Sequence, residues 1–272
     1  PVQVNYLGFP ATMGAPYIDY IIADRMVIPE AQRAHYSETV VYLPHSYQPN
    51  DRTRLSAPTP SRAENGLPEH GFVFCCFNNA FKIGPQVFAV WMWLLRNVEG
   101  SVLWLLEDHD ATKANLKRVA MGCGIEESRL IFAPRVAVED HLARHALADL
   151  FLDTLPYNAH TTASDALWME LPLVTCTGDT FASRVAASLL VTIGLPDLVT
   201  ASLSEYGDLA RNLARDPERL AGIRTKLARN RETSPLFDVA RFTRHLEAAY
   251  AMMWDRHRRG EPPAGFAVET LP

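Results

Sequence analysis

Long apolar runs are missing from this chain of 272 residues; none approaches the roughly 20 residues needed to cross a bilayer. No stretch has the basic, apolar and small-residue order of a secretory leader, so neither a membrane span nor export is expected. Cysteine is scarce. The four present, Cys75, Cys76, Cys123 and Cys176, show no metal-ligand spacing. They read as small buried hydrophobes in a reducing, cytoplasmic setting. Positive charge is in the minority: 26 Lys and Arg against 31 Asp and Glu give a net charge of -5, which argues against nucleic acid as a partner. The basic run Arg256 to Arg259 is short and reads as a solvated helix end. Glycine-rich phosphate loops are absent as well. Without G-x-G-x-x-G or G-K-[ST], a dinucleotide oxidoreductase or an NTPase is disfavoured. Asp108-His109-Asp110 is a carboxylate triplet with no second His or carboxylate cluster to support it, so it reads as a polar loop and no metal is expected. No internal repeat or low-complexity tract is visible.

What remains is a regular alternation. Residues 1–50 alternate short apolar runs with turn residues: Val2 to Val4, Gly8 to Pro10, Tyr17 to Ala23, a short helix near Pro29 to Tyr36, then Val40 to Leu43. This piece is too small to close a core alone. Pro1 stands inside a strand-like segment, so a fragment or a processed chain is expected. The stretch from Pro44 to Pro68 is polar and proline-rich, and residues 51–69 are expected to be a linker. From residue 70 strands and helices take turns. Strands are expected at Phe72 to Phe77, Ser101 to Leu106, Arg129 to Phe132, Asp149 to Leu152, Leu173 to Cys176 and Leu198 to Val199. Helices are expected at Gln86 to Val98, Ala111 to Met121, Val138 to Ala146, Thr162 to Met169 and Phe181 to Ile193. Such alternation predicts an α/β domain, residues 70–260, with a parallel sheet covered on both faces. The end is helical, with an apolar stripe from Val239 to Trp254 at helical spacing. Residues 261–272 are expected to be a loosely ordered tail.

In an open parallel sheet, ligands bind at the carboxyl ends of the strands. Three loops fall there. After Phe77 comes Asn78-Asn79-Ala80-Phe81-Lys82, where Lys82 is either an ordinary surface charge or an ammonium facing the crevice. After Phe132 the chain passes Val136, Ala137 and Val138 to His141 and Arg144. These two form either a surface pair or a base-stacking imidazole beside a guanidinium that pairs an acidic neighbour or a phosphate. After Leu152, Asn158-Ala159-His160-Thr161-Thr162 runs directly into a helix. Thr162 and Asp165 fit a loose capping box; equally, the helix start, two hydroxyls and an imidazole fit an anion site, with Asp165 in reach of a ribose.

These segments, together with Tyr6-Leu7-Gly8-Phe9-Pro10, Asp19-Tyr20-Ile21-Ile22, Ala182 to Ser188, Ser234-Pro235-Leu236-Phe237 and Met253-Trp254, resemble in order the C-terminal catalytic region of the O-GlcNAc transferase family, glycosyltransferase family 41, in a bacterial-type form. The resemblance implies a GT-B-type fold: a Rossmann-like C-terminal lobe and the end of an N-terminal lobe. It implies a UDP-N-acetylglucosamine donor, inverting transfer to Ser or Thr of proteins, and no metal. Lys82 would contact the diphosphate and help the leaving group. His160, Thr161 and Thr162 would hold diphosphate and sugar, and Asp165 the ribose. His141 would pack on the uracil with Arg144 behind it, the backbone of Val136, Ala137 and Val138 would read the base edge, and Leu7, Gly8 and Pro10 would touch the sugar. Asn79 replaces the family's usual Gln, and Val138 its usual Lys, which removes a ribose contact. Upstream tetratricopeptide repeats and the first part of the N-terminal lobe are expected in the parent. A related UDP-hexose protein N-glycosyltransferase, a protein O-fucosyltransferase and a non-catalytic UDP-sugar-binding module remain as alternatives.

Overall fold

The computed structural model describes residues 1–271; Pro272, the last residue of the expected tail, lies outside them. Two parallel sheets form. The smaller orders β1 (Val4–Asn5), β2 (Tyr20–Ala23), β3 (Thr39–Tyr42) and β10 (Phe266–Ala267) side by side. The larger contains β4 (Val73–Cys76), β5 (Val102–Leu106), β6 (Leu130–Ala133), β7 (Leu150–Leu152), β8 (Leu173–Cys176) and β9 (Val199–Thr200), in the order β6-β5-β4-β7-β8-β9. All the pairings are parallel. The helices between are α1 (Pro85–Asn97), α2 (Asp110–Gly122), α3 (Val138–Arg144), α4 (Thr161–Trp168), α5 (Val185–Thr192), α6 (Leu203–Arg215) and α7 (Pro217–Thr233), followed by α8 (Val239–Arg258). The alternation read from the sequence is therefore present, with the α/β class it implied.

Local chemistry sets the ends. Pro85 opens α1, where its missing N–H costs nothing. Ser202, Asp216 and Asp238 cap α6, α7 and α8 by accepting the amides of Glu205, Arg219 and Arg241. Gly71 has φ +112 and lies so close to Gly100 that any Cβ would meet its carbonyl oxygen at 2.3 Å.

β2 explains how a small sheet joins a large core. Its four residues are all buried, and successive side chains point to opposite faces. Tyr20 and Ile22 pack with Ala249 and Met253 of α8; Ile21 and Ala23 join the large cluster with Val185 and Leu189 of α5. The first fifty residues are thus clamped between the larger domain and the last helix.

Three expectations need correction. The tail contains β10, whose Phe266 and Ala267 pair with Val41 and Tyr42, and Val268 is buried. An apolar trio beside an open sheet edge outweighs the loosening effect of Pro262 and Pro263. The linker, with the residues just before it, forms a strap stitched to its neighbours. Gln48 and Asn50 are buried against Ser164, Arg54 pairs with Asp165, and Arg62 pairs with Asp149 at 3.3 Å. Its polar side chains found partners on the protein instead of water. The helix expected from Phe181 begins as a tight turn, Phe181–Ser183, closed by reciprocal Thr180 and Ser183 bonds, and α5 starts only after Arg184.

Candidate active site at the switch point of the larger sheet

β4 and β7 are neighbours at the centre of the larger sheet. From them the strand order runs in opposite directions, to β5 and β6 on one side and β8 and β9 on the other. That reversal opens a crevice at their carboxyl ends. The loops after β4 and β7 meet there.

Asp153, the first residue after β7, organises one loop. It is fully buried; Oδ1 accepts the amides of Thr154 at 2.7 Å and Ala159 at 2.6 Å, and Oδ2 accepts the Thr175 hydroxyl at 2.6 Å. Burial pushes its carboxyl up to about 7 in spite of these bonds and the charge of Lys82. Asn158 closes the same loop by donating to the Thr154 carbonyl at 2.8 Å. From behind, Tyr206 of α6 donates to the Asp153 carbonyl at 3.0 Å and accepts the Trp91 indole N–H at 3.0 Å.

Lys82 comes from the loop after β4. Its ammonium donates to the Asn158 carbonyl at 2.9 Å and lies 4.1 Å from the Tyr157 ring centroid. Burial lowers its pKa, with Asp153 acting in the other direction. It is a crevice residue, so the surface-charge alternative falls away. Tyr157 in turn stacks on His160, centroids 4.9 Å apart and planes at 26°. Nε2 of His160 lies 3.2 Å from the Ala182 carbonyl, a contact that requires the proton on Nε2 and leaves Nδ1 as an acceptor. Burial holds the ring down at about 4, neutral at physiological pH.

His160 is the N-cap of α4, and no side chain caps that helix. The capping-box reading of Thr162 and Asp165 is therefore overturned. Thr162 instead donates to Asn78 Oδ1, and Asp165 pairs with Arg54. The first-turn N–H groups of α4 keep their positive character toward the crevice.

The loop after β6 makes a second wall. Val136 is 46% and Val138 64% exposed, and Ala137 between them is exposed too. Val138 offers this wall no cation. Asn79 accepts a bond from Arg135 at 3.1 Å. His141 meets Phe77 edge-on at 5.3 Å and His145 at 5.0 Å, and burial lowers it to about 4. Arg144 is buried: it donates to the Pro134 carbonyl at 2.9 Å and lies 5.6 Å over Phe77. It props the wall from within and is neither a surface charge nor the partner of an acidic neighbour.

The third side comes from the smaller sheet. Leu7 has φ 65, an uncommon conformation for a leucine, and Gly8 bonds back to the Tyr6 carbonyl at 2.9 Å. Leu7 lines a cavity of about 330 Å³ together with Tyr47, Gln48, Arg54, His160 and Thr161. Gly8 and Pro10 belong to the same loop but do not line it. A larger cavity of about 540 Å³ lies between Gly66, Gly100 and Arg129, at the amino ends of the strands and away from these groups. Among the described residues no group of three or more His, Cys, Asp or Glu is placed to hold a metal ion. In the Asp108-His109-Asp110 triplet, Asp110 pairs with Lys113 at 2.9 Å.

Sequence reasoning passed over Asp153, Asn78, Tyr157 and Arg54 as site residues. A carboxylate directly after a strand was the available signal for Asp153. Arg54 gave none, because its segment reads as a linker.

Residues 1–57 and 51–246 match the model for glycosyl transferase family 41. The chain belongs to that family. It is 39% identical, over 98% of its length, to a probable UDP-N-acetylglucosamine–peptide N-acetylglucosaminyltransferase of Arabidopsis thaliana, and spans 28% of that protein. It is also 39% identical to the enzyme of that name from Caenorhabditis elegans, over 74% of this chain and 18% of the relative. Among solved structures, a variant of the O-GlcNAc transferase of Thermobaculum terrenum superposes with a TM-score of 0.87 at 35% identity, over 96% of this chain and 50% of that one. The family resemblance read from the sequence and the GT-B type of fold both stand. The Anabaena protein HepE, solved with UDP and glucose, shares the fold at a TM-score of 0.60 and 14% identity, over 87% of this chain and 64% of that one. No helix among the described residues is long and apolar enough to cross a membrane.

Proposed function

We propose that this family 41 chain is the donor-binding part of an inverting glycosyltransferase that moves N-acetylglucosamine from UDP-N-acetylglucosamine to Ser or Thr hydroxyls of proteins. The observation that carries this reading is the convergence at the switch point of Lys82, neutral His160 and the uncapped start of α4. The names of the Arabidopsis and Caenorhabditis relatives support the choice of donor and acceptor.

In the reaction, an acceptor oxygen attacks the anomeric carbon, the bond from that carbon to the diphosphate breaks, and the electron pair leaves with UDP. Helix N–H groups and the hydroxyls of Thr161 and Thr162 hold the diphosphate. The Lys82 ammonium neutralises the charge that builds on the departing oxygen. Asp165 takes the ribose, His141 the uracil, and the backbone from Val136 to Val138 the base edge. Asn79 stands at the mouth, and Leu7, Gly8 and Pro10 face the sugar. The acceptor's proton leaves to a group supplied by the rest of the N-terminal lobe, and tetratricopeptide repeats of the parent present the protein acceptor. The setting is the cytoplasm.

Titration of the chain with UDP, GDP and their sugars tests the donor. UDP and UDP-N-acetylglucosamine are expected to bind and to raise the melting temperature. A preference for GDP, or no response to UDP, would overturn the reading. Incubating the parent protein with UDP-N-acetylglucosamine and protein acceptors then separates an enzyme from a binding module.

A further inference from the structure

Arg54 arrives at the crevice from a segment that looks like a tether. Its position is not accidental, because the strap is held on both sides of it: before Arg54 it is sewn onto α4, and after it Ala57 donates to the Glu139 carbonyl of α3 at 3.1 Å. Gln48 donates to the Ser164 hydroxyl at 2.8 Å, Ser164 donates to Asn50, and Asn50 donates to the Leu236 carbonyl at 3.2 Å. Arg54 Nε is tied to the Asp51 carbonyl at 3.2 Å, which fixes the turn that aims the side chain. Nη1 then pairs with Asp165, one residue beyond Ser164 on the same helix. The guanidinium lies 5.8 Å from the Trp168 ring centroid, and Nη2 is buried without a hydrogen-bond partner.

This is an expensive way to stabilise a fold. Both members of the pair are mostly buried, with side chains 19% and 13% exposed, and one guanidinium N–H group has no acceptor. Ion pairs removed from water add little net stability, since desolvation offsets the attraction. Such a pair is better explained by what it does to Asp165. Burial alone would push that carboxyl toward its neutral form, and Arg54 works against it. A neutral or wandering carboxyl would be a poor acceptor for a hydroxyl; a fixed carboxylate is a strong one.

We propose that Arg54 is a positioning residue, which pins the Asp165 carboxylate, next in sequence to the cavity-lining Ser164, so that it accepts a ribose hydroxyl of the nucleotide donor. The proposal rests on the reading of the crevice as a UDP-sugar site. It makes the strap a working wall of that site: the cavity it borders also contains His160 and Thr161. The cation beside Asp165 thus comes from the strap.

The test is calorimetric titration of the whole chain with UDP and with 2′,3′-dideoxyuridine diphosphate, between pH 5 and pH 8. The unaltered chain is expected to favour UDP by about tenfold, the worth of a hydrogen bond to a charged group. Arg54→Met is expected to weaken UDP by about tenfold at pH 7 while leaving the dideoxy nucleotide nearly unchanged. The UDP deficit should deepen as the pH falls toward 5, because Asp165 then protonates more easily. Arg54→Lys, which keeps the charge, is expected to restore most of the preference and to show whether a loss in Arg54→Met is mere misfolding. Equal weakening of both nucleotides, or an unchanged preference in Arg54→Met, would overturn the role of Arg54 while leaving the donor site intact. If the unaltered chain bound neither nucleotide, the donor-site reading would fail and the proposal with it.

Discussion

At the residue scale, Lys82 and Asp153 share a crevice but separate by role. Lys82 is half-buried and holds only a carbonyl and an aromatic face, so its charge is poorly compensated. In the proposed reaction that charge matters most when the diphosphate carries its extra electron pair. On the proposed reading, Lys82→Met in the parent protein is expected to cut transfer by a factor of about 100 to 1000, with UDP affinity falling less than about tenfold. Steady-state kinetics beside UDP titration would check it; equal losses would remove the catalytic role. Asp153 is structural, and its signature is a pH dependence. Its folded-state pKa, about 7, lies above its ordinary value of 3.8. A raised pKa means that its contribution is fully present below pH 3.8 and is lost as the pH rises through 7. Relative to Asp153→Asn, the unaltered chain should therefore lose about 1.4 kcal/mol of stability per pH unit between pH 4 and pH 7, and nothing further above that. Urea midpoints of both proteins at four pH values would show this, and a constant gap would exclude it.

At the element scale, the helices and strands of the larger domain were legible because each obeys one rule. Val73 to Cys76 is a continuous apolar run, and it became a central strand buried on both faces. His160-Thr161-Thr162 follows a strand and opens a helix, and it does face the crevice. What the sequence hid was partnership. Pro262 and Pro263 announce a loose end, but nothing local says that Phe266 will find the edge of β3. Nor does a run of Pro, Ser and Asn say that Gln48 and Arg54 will meet Ser164 and Asp165 more than 100 residues away. These contacts are fixed by tertiary geometry, which periodicity cannot carry. β10 offers a direct check. Val268 donates to the Tyr42 carbonyl at 2.9 Å, and Leu271 donates to His245 Nε2 at 2.9 Å. Phe266 and Val268 also cover the cluster built on Tyr20, Ile22 and Met253. Ending the chain at Gly260 should therefore cost about 2–4 kcal/mol, the worth of two apolar side chains and their ladder bonds. A urea midpoint unchanged by the truncation would mean that β10 is only loosely held.

At the scale of the whole molecule, the question is why two sheets behave as one body. The joint is polar as well as apolar, and Asp24 is its centre. This carboxylate, at the end of β2 and fully buried, accepts the amides of Met26 at 2.8 Å, Val27 at 3.0 Å and Tyr47 at 2.9 Å. It also accepts the Ser188 hydroxyl of α5 at 2.7 Å. Arg184 adds a second tie, from Nε to the Met26 carbonyl at 2.6 Å and from Nη1 to the Gly178 carbonyl at 3.0 Å. One side chain thus fixes the turn after β2, the start of the strap and the helix below. Because the strap carries Tyr47 and Arg54 to the cavity, and the loop before β2 carries Leu7, the same joint sets the width of the cleft. Asp24→Ala would leave three amides buried without an acceptor and the Ser188 hydroxyl with only its bond to Ser46, at about 1–3 kcal/mol for the first such group and less for any that recover water. The expected loss is about 3–5 kcal/mol, with UDP affinity falling at 25 °C even where the protein remains folded. Asp24→Asn keeps one acceptor oxygen and should lose less of both. Stability and affinity should fall together across this pair of variants, because a single joint holds the core closed and the two walls of the cleft in register. A large loss of stability with UDP affinity untouched would show instead that the strap keeps its place on α4 through Gln48, Asn50 and Arg54 alone.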